Sequence, residues 1–169
     1  MPSPAELQVD ITIQADVDLP AGVTEDAVAS FARHVLVAEG ESGSWQLGIR
    51  FVDDEIMRRA HASFMGIDLP TDIMTFPYED DGFDLVPEGG EALPLAGGDL
   101  IVSVDRAADH AREVGWETSR ELFFLVCHGA LHILGWDDAT DEDRSRMLGR
   151  QSSLLVEWWD SRERGAVTP

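Results

Sequence analysis

One segment constrains this chain more than any other: "ELFFLVCHGALHIL", Glu121 to Leu134. A helix that is apolar nearly all round must be covered on most sides, so this one belongs at the centre of the fold. "TSRE", Thr118 to Glu121, matches a capping box and starts the helix, which runs to Leu134. Gly135 suits its end. His128 and His132 are four residues apart. That spacing stacks both imidazoles on one face, about one turn apart. Two polar rings on so apolar a helix are costly unless each is satisfied. Either they are core histidines with local partners, or they share a metal. Gly135 lets the chain turn back, and Asp137 and Asp138 then arrive where a third ligand could close the site. Two neutral histidines, a carboxylate and an open fourth position make a workable catalytic zinc set. The zinc-peptidase signature H-E-x-x-H is incomplete, because Gly129 stands where its glutamate should be.

The flanking pattern supplies the rest of the fold. "LQVDITIQ" alternates Leu7, Val9, Ile11 and Ile13 and reads as a strand; "SWQLGIRF" alternates Trp45, Leu47, Ile49 and Phe51 and reads as a second. Between them, Val28, Phe31, Ala32 and Val35 recur at helical spacing up to Gly40. "DDEIMRRAHASFMG" is a helix opened by acids and closed by glycine, and "DIMTFP" is a short strand. Residues 79 to 98 are rich in Gly, Pro and acids and read as a long, exposed, mobile loop. "DLIVSV" is a buried strand, "DRAADHAREVG" a helix, and Thr140 starts a last helix through "RMLGRQSSLLVEWW", whose Trp158 and Trp159 close the core. The order β-α-β-α-β-β-α-α-α predicts an α+β domain: one small mixed four-stranded sheet packed with helices, with the metal site on the central helix and the following turn. The 169 residues suit a single domain over 1–169.

Composition excludes some classes. No apolar run is long enough to span a bilayer. "MPSPAELQVD" lacks the basic-then-apolar build of a secretory signal. The lone Cys127 rules out an internal disulfide framework and fits a reducing cytoplasm. The formal net charge is −21, and all 12 basic residues are arginine. A protein that grips nucleic acid by charge shows a basic excess, which this chain lacks. A local arginine cluster can still serve a small site.

"HGALHILGWDD" resembles the signature of the YbeY family, H-G-x-L-H-L-x-G-Y-D-H. "LPTDIMTFP", Leu69 to Pro77, is similar to its P-T-D-V-L-S-F-P segment, and "GGDLIVSVDRAADHAREVG" to its G-D-I-x-I strand and following helix. Together these cover roughly residues 47 to 160. The resemblance implies an α+β metal-dependent endoribonuclease of bacteria. It would act on single-stranded RNA in ribosomal RNA maturation, including the 16S rRNA 3′ end, with small-subunit ribosomal proteins as further partners. It also implies one zinc held by three signature histidines. Two of these fall on His128 and His132. The third falls on Asp138, and the preceding aspartate on Asp137. An arginine expected five residues before the proline of P-T-D is Met65 here.

Both departures fall at functional positions. Asp138 can bind zinc through oxygen, but its charge lowers the metal's pull on water and on phosphoryl oxygen. The His/His/Asp set also suits iron(II) or manganese(II). Met65 cannot bind phosphate as a guanidinium does. Arg58 and Arg59 are the nearest substitutes in sequence, with His61 close by; all three read equally as surface groups. Thr71, Asp72 and Thr75 could orient a ligand or serve a turn and strand. Trp136 could stack a base or pack near the site, and Cys127 is packing. Three functions follow: a zinc-dependent endoribonuclease, a catalytically weak ribosome-assembly factor, or another metallohydrolase such as a peptidase.

Overall fold

The computed structural model describes residues 6–78 and 96–166. Its elements are β1 (Gln8–Ala15), α1 (Glu25–Ala38), β2 (Ser44–Val52), α2 (Asp54–Met65), β3 (Ile73–Pro77), β4 (Ala96–Ser103), α3 (Val104–Val114), α4 (Thr118–Ile133) and α5 (Asp141–Ala166). The sheet order is β1-β2-β4-β3, with β1, β2 and β4 parallel and β3 antiparallel to β4. The expected mixed four-stranded α+β architecture is therefore present. Of the loop expected at 79 to 98, Ala96 to Gly98 instead pair as strand with Trp45 to Leu47; residues 79–95 lie outside the described residues.

Alternation sorts the sheet into two unequal faces. Leu47, Ile49, Phe51, Leu100 and Val102 meet α1, α4 and α5 in the main core. Val52, Met74, Phe76 and Ile101 point the other way, onto Ile56, Met57 and Ala60 of α2. α4 lies against the first face with Leu122, Phe123, Val126, Cys127, Ala130 and Leu131 almost fully buried. Gly129 is what lets it lie so close. A Cβ there would come within 2.7 Å of Ile73 Cδ1 and Leu100 Cδ2. Phe31 of α1 meets Phe123 edge-on at 5.7 Å, and Trp158 of α5 closes the cluster at 5.0 Å from each ring.

Caps set the boundaries. The Thr24 hydroxyl accepts from the Ala27 amide and the Asp53 carboxylate from the Ile56 amide. Thr140 does the same for Asp143 at the start of α5. Two expectations need correction. The TSRE capping box does not form: α4 has Glu117 at its N-cap position and no side-chain cap bond. Glu121 instead turns to α3, where its carboxylate sits 2.9 Å from His110 Nδ1. And only Trp158 belongs to the core; Trp159 is 42% exposed, because successive helical residues point about 100° apart.

Glu121 is buried, and its second oxygen, Oε2, has no partner among the described residues. Burial pushes its carboxyl above the ordinary glutamate range; the Asp72 charge adds to this, and His110 and Arg120 oppose it. A raised folded-state value means that stability is full below the unfolded pKa, about 4.3, and falls as pH rises through the folded one. Glu121→Gln should therefore gain melting temperature over wild type progressively as pH rises from acid to neutral. A difference that stays constant across that range in thermal melts would contradict this.

Candidate metal centre

His128 and His132 leave α4 on the side that the sheet does not cover. Both are partly exposed, with 23% and 26% of their side chains accessible. Their rings stand edge to face, 4.5 Å apart. Each ring is anchored through Nδ1. His128 Nδ1 lies 3.0 Å from Gln151 Oε1, and the same amide donates through its nitrogen to the Phe124 carbonyl at 3.3 Å. His132 Nδ1 lies 3.0 Å from the Trp136 carbonyl. A carbonyl oxygen only accepts, and the Gln151 amide nitrogen is committed elsewhere. Both Nδ1 atoms are therefore the donors of these bonds, and Nε2 is the nitrogen each ring has left to offer a lone pair. Those two Nε2 atoms face each other at 3.0 Å.

The third group arrives by a helix-ending turn. Gly135, at φ 97°, takes the left-handed conformation that L side chains avoid. The Gly135 amide bonds the His132 carbonyl and the Trp136 amide the Leu131 carbonyl, both at 3.0 Å, in the manner of a Schellman motif. Of the two aspartates that follow, Asp137 is spent on the turn, accepting from the Ala139 amide at 3.0 Å. Asp138 points Oδ2 back to the rings, 3.7 Å from His128 Nε2 and 3.4 Å from His132 Nε2. Among the described residues these three form the one such group, with candidate ligand atoms within 4.8 Å of one another. Three potential electron-pair donors converging in this way suit a shared cation. Tetrahedral zinc with bonds near 2.1 Å puts its ligands about 3.4 Å apart, close to the distances seen. The donor set fits a divalent metal.

A family model described as Endoribonuclease YbeY matches residues 11–158. The chain belongs to the YbeY endoribonuclease family. The match takes in all three candidate ligands, and it reaches further toward the N-terminus than the segments at 47 to 160 that carry the resemblance. Among curated relatives, Endoribonuclease YbeY of Bacillus cytotoxicus is 41% identical over 117 residues, 69% of this chain and 75% of that one. That of Gloeobacter violaceus is 39% identical over 148 residues, 87% and 73% of the two chains. That of Bacillus licheniformis is 35% identical over 159 residues, 92% and 98%. The solution structure of TM1509 from Thermotoga maritima superposes with a TM-score of 0.62 over 92% of this chain and 93% of that one, at 22% identity, which shows the shared YbeY fold.

The other candidates lie elsewhere. Arg58, Arg59, His61 and Met65 are on α2, across the sheet from α4. Arg58 pairs with Glu55 and Asp68, and Arg59 with Glu55. His61 Nδ1 is 2.7 Å from the Leu69 carbonyl, and Met65 is 59% exposed. Thr71 and Asp72 serve the entry to β3, where the Asp72 carboxylate accepts from the Ile73 amide at 2.8 Å and, at 3.5 Å, from the Thr71 hydroxyl. Thr75 pairs with Leu100 within the sheet. Cys127 faces the core, where burial pushes its thiol up to about 12. No helix among the described residues is long and apolar enough to cross a membrane.

The residue missed in the sequence is Gln151. Its signal was there: Met147, Gln151, Leu154 and Trp158 share the buried face of α5, and a lone amide on such a face needs partners. Gly129 also bears on the peptidase reading, since a glutamate there would enter the sheet and not the metal centre. Gly129→Glu should lose at least about 3 kcal/mol in urea unfolding, the cost of an unpaired buried charge. Gly149→Ala, at an open helical position, should gain up to about 1 kcal/mol. A Gly129→Glu protein as stable as wild type would contradict the packing described.

Proposed function

We propose that this protein is a metal-dependent endoribonuclease of single-stranded RNA. It acts in the cytoplasm on ribosomal RNA maturation, including the 16S rRNA 3′ end, with small-subunit ribosomal proteins as partners and residues 1–169 working as one domain. The observation that carries this reading is the pair of Nδ1-anchored histidines with bare Nε2 atoms 3.0 Å apart, facing Asp138. His128, His132 and Asp138 hold one zinc ion; a site of two imidazoles and one carboxylate also accepts iron(II) or manganese(II). Bound there, the metal acts as a Lewis acid toward a phosphoryl oxygen and toward water. The protein's own residues fix the donors. Gln151 holds His128, the Trp136 carbonyl holds His132, and Asp137 shapes the turn that presents Asp138.

A second reading is an assembly factor with weak catalysis. One observation favours it. Met65 stands exposed where the resemblance expects an arginine, and the neighbouring Arg58 and Arg59 are tied to carboxylates. Of the other weak candidates for catalysis, Thr71 and Asp72 bond each other and the local backbone.

Metal content and cleavage of a single-stranded RNA, measured together on wild type, His128→Ala and Asp138→Ala, test the proposal. The expected result is about one metal per wild-type chain, lost with cleavage in both variants. Metal retained in Asp138→Ala removes that residue from the ligand set. Metal bound without cleavage leaves the assembly-factor reading.

A further inference from the structure

The turn that carries Asp138 is held by its own backbone bonds, by the packing of Leu134 and Trp136 on the core, and by one side-chain network. The Trp136 indole N–H donates to Glu39 Oε2 at 2.9 Å. Glu39 is the C-cap residue of α1, and its side chain is only 13% exposed. Its other oxygen accepts from Arg150 Nε at 2.6 Å, and Arg150 reaches on to the Ala38 carbonyl at 3.4 Å. So one half-buried ion pair ties the end of α1, the α4–α5 turn and α5 at a single point.

That point touches both ligand anchors. Trp136 supplies the carbonyl that fixes the His132 ring, and Asp138 follows it by two residues. Arg150 immediately precedes Gln151, whose amide fixes the His128 ring. A shift of Trp136 would move the His132 anchor and Asp138 together. A shift of α5 near Arg150 would carry Gln151 away from His128. A half-buried charge such as Glu39 is kept only when paired, and most of this chain's other ion pairs lie at the exposed surface. Side chains that orient metal ligands through such contacts govern affinity without touching the ion.

We propose that Glu39 and Arg150 are positioning residues for the metal centre, acting through Trp136 and Gln151 to hold the two imidazoles and Asp138 in one geometry. The inference rests on reading His128, His132 and Asp138 as the ligands. It assigns a metal-binding role to the end of α1, an element that contributes no ligand.

The test measures zinc affinity by chelator competition and the visible spectrum of the cobalt(II)-loaded protein, alongside the melting temperature of the metal-free form. Trp136→Phe keeps an aromatic ring and deletes the N–H. Glu39→Ala removes the ion pair. Each should weaken zinc binding by about 10–100-fold and alter the cobalt bands. Glu39→Gln keeps an acceptor for the indole and should recover part of the loss; as the mildest change, it also serves if Glu39→Ala does not fold. Ser30→Ala deletes the partner of the Trp158 indole on the same α1–α5 seam and should move only the melting temperature. Zinc affinity and cobalt bands unchanged in folded Trp136→Phe and Glu39→Gln, with metal bound by wild type, would overturn the positioning role alone. Wild type that binds neither zinc nor cobalt would overturn the ligand reading and the inference with it.

Discussion

The close approach of α4 to the sheet at Gly129 is the constraint from which the rest follows. With no side chain at that position, Ile73 and Leu100 fill the space directly beneath the helix axis. The surrounding Leu122, Val126, Ala130 and Leu131 are then sealed between the sheet, α1 and α5. Only the Phe124–His128–His132 side of the helix is left partly open. Apart from Glu121, which pairs with His110 of α3, the polar groups in the middle of α4 are His128 and His132 on that stripe, and the turn at Gly135 folds back across it. The candidate metal centre is a by-product of how the core packs: a buried helix delivers two imidazoles, and the helix end delivers the acid.

Electrostatics complete the picture. The chain carries a net charge of −21, and most of its arginines are committed. Arg50, Arg58, Arg59, Arg106, Arg112, Arg144, Arg146 and Arg150 all sit against carboxylates. Little free guanidinium remains to attract a phosphate backbone. RNA binding by this chain must lean on the charge of the bound metal and on short-range contacts more than on a basic surface. Asp138, where the resemblance implies an imidazole, works in the opposite sense, since a carboxylate beside a cation lowers the net positive charge there.

Much of this was legible in the sequence, and the reasons are specific. Element order and the centrality of α4 followed from hydrophobic period, which depends only on which residues are buried. The histidine pair followed from helical spacing. The choice of Asp138 over Asp137 came from the resemblance; the turn supplies its physical reason, since Asp137 is spent on the Ala139 amide. Gln151 was legible as a polar residue on an apolar helix face, but which groups Gln151 and Glu39 meet was not, since each acts across more than 20 residues of sequence. The capping box failed for a related reason: Glu121 had a long-range partner in His110 that outweighed its local one. Arg58 and Arg59 seemed close to the site by sequence, but α2 packs on the far face of the sheet.

The central claim is that both histidines are Nδ1-protonated and present bare Nε2 atoms to a shared cation. Long-range proton–nitrogen correlation NMR on the zinc-titrated protein reads this directly. The account predicts the Nδ1–H tautomer at both His128 and His132, with both Nε2 resonances moving on zinc binding and saturating at one equivalent. An Nε2–H tautomer at either ring, or Nε2 resonances indifferent to zinc, would contradict it.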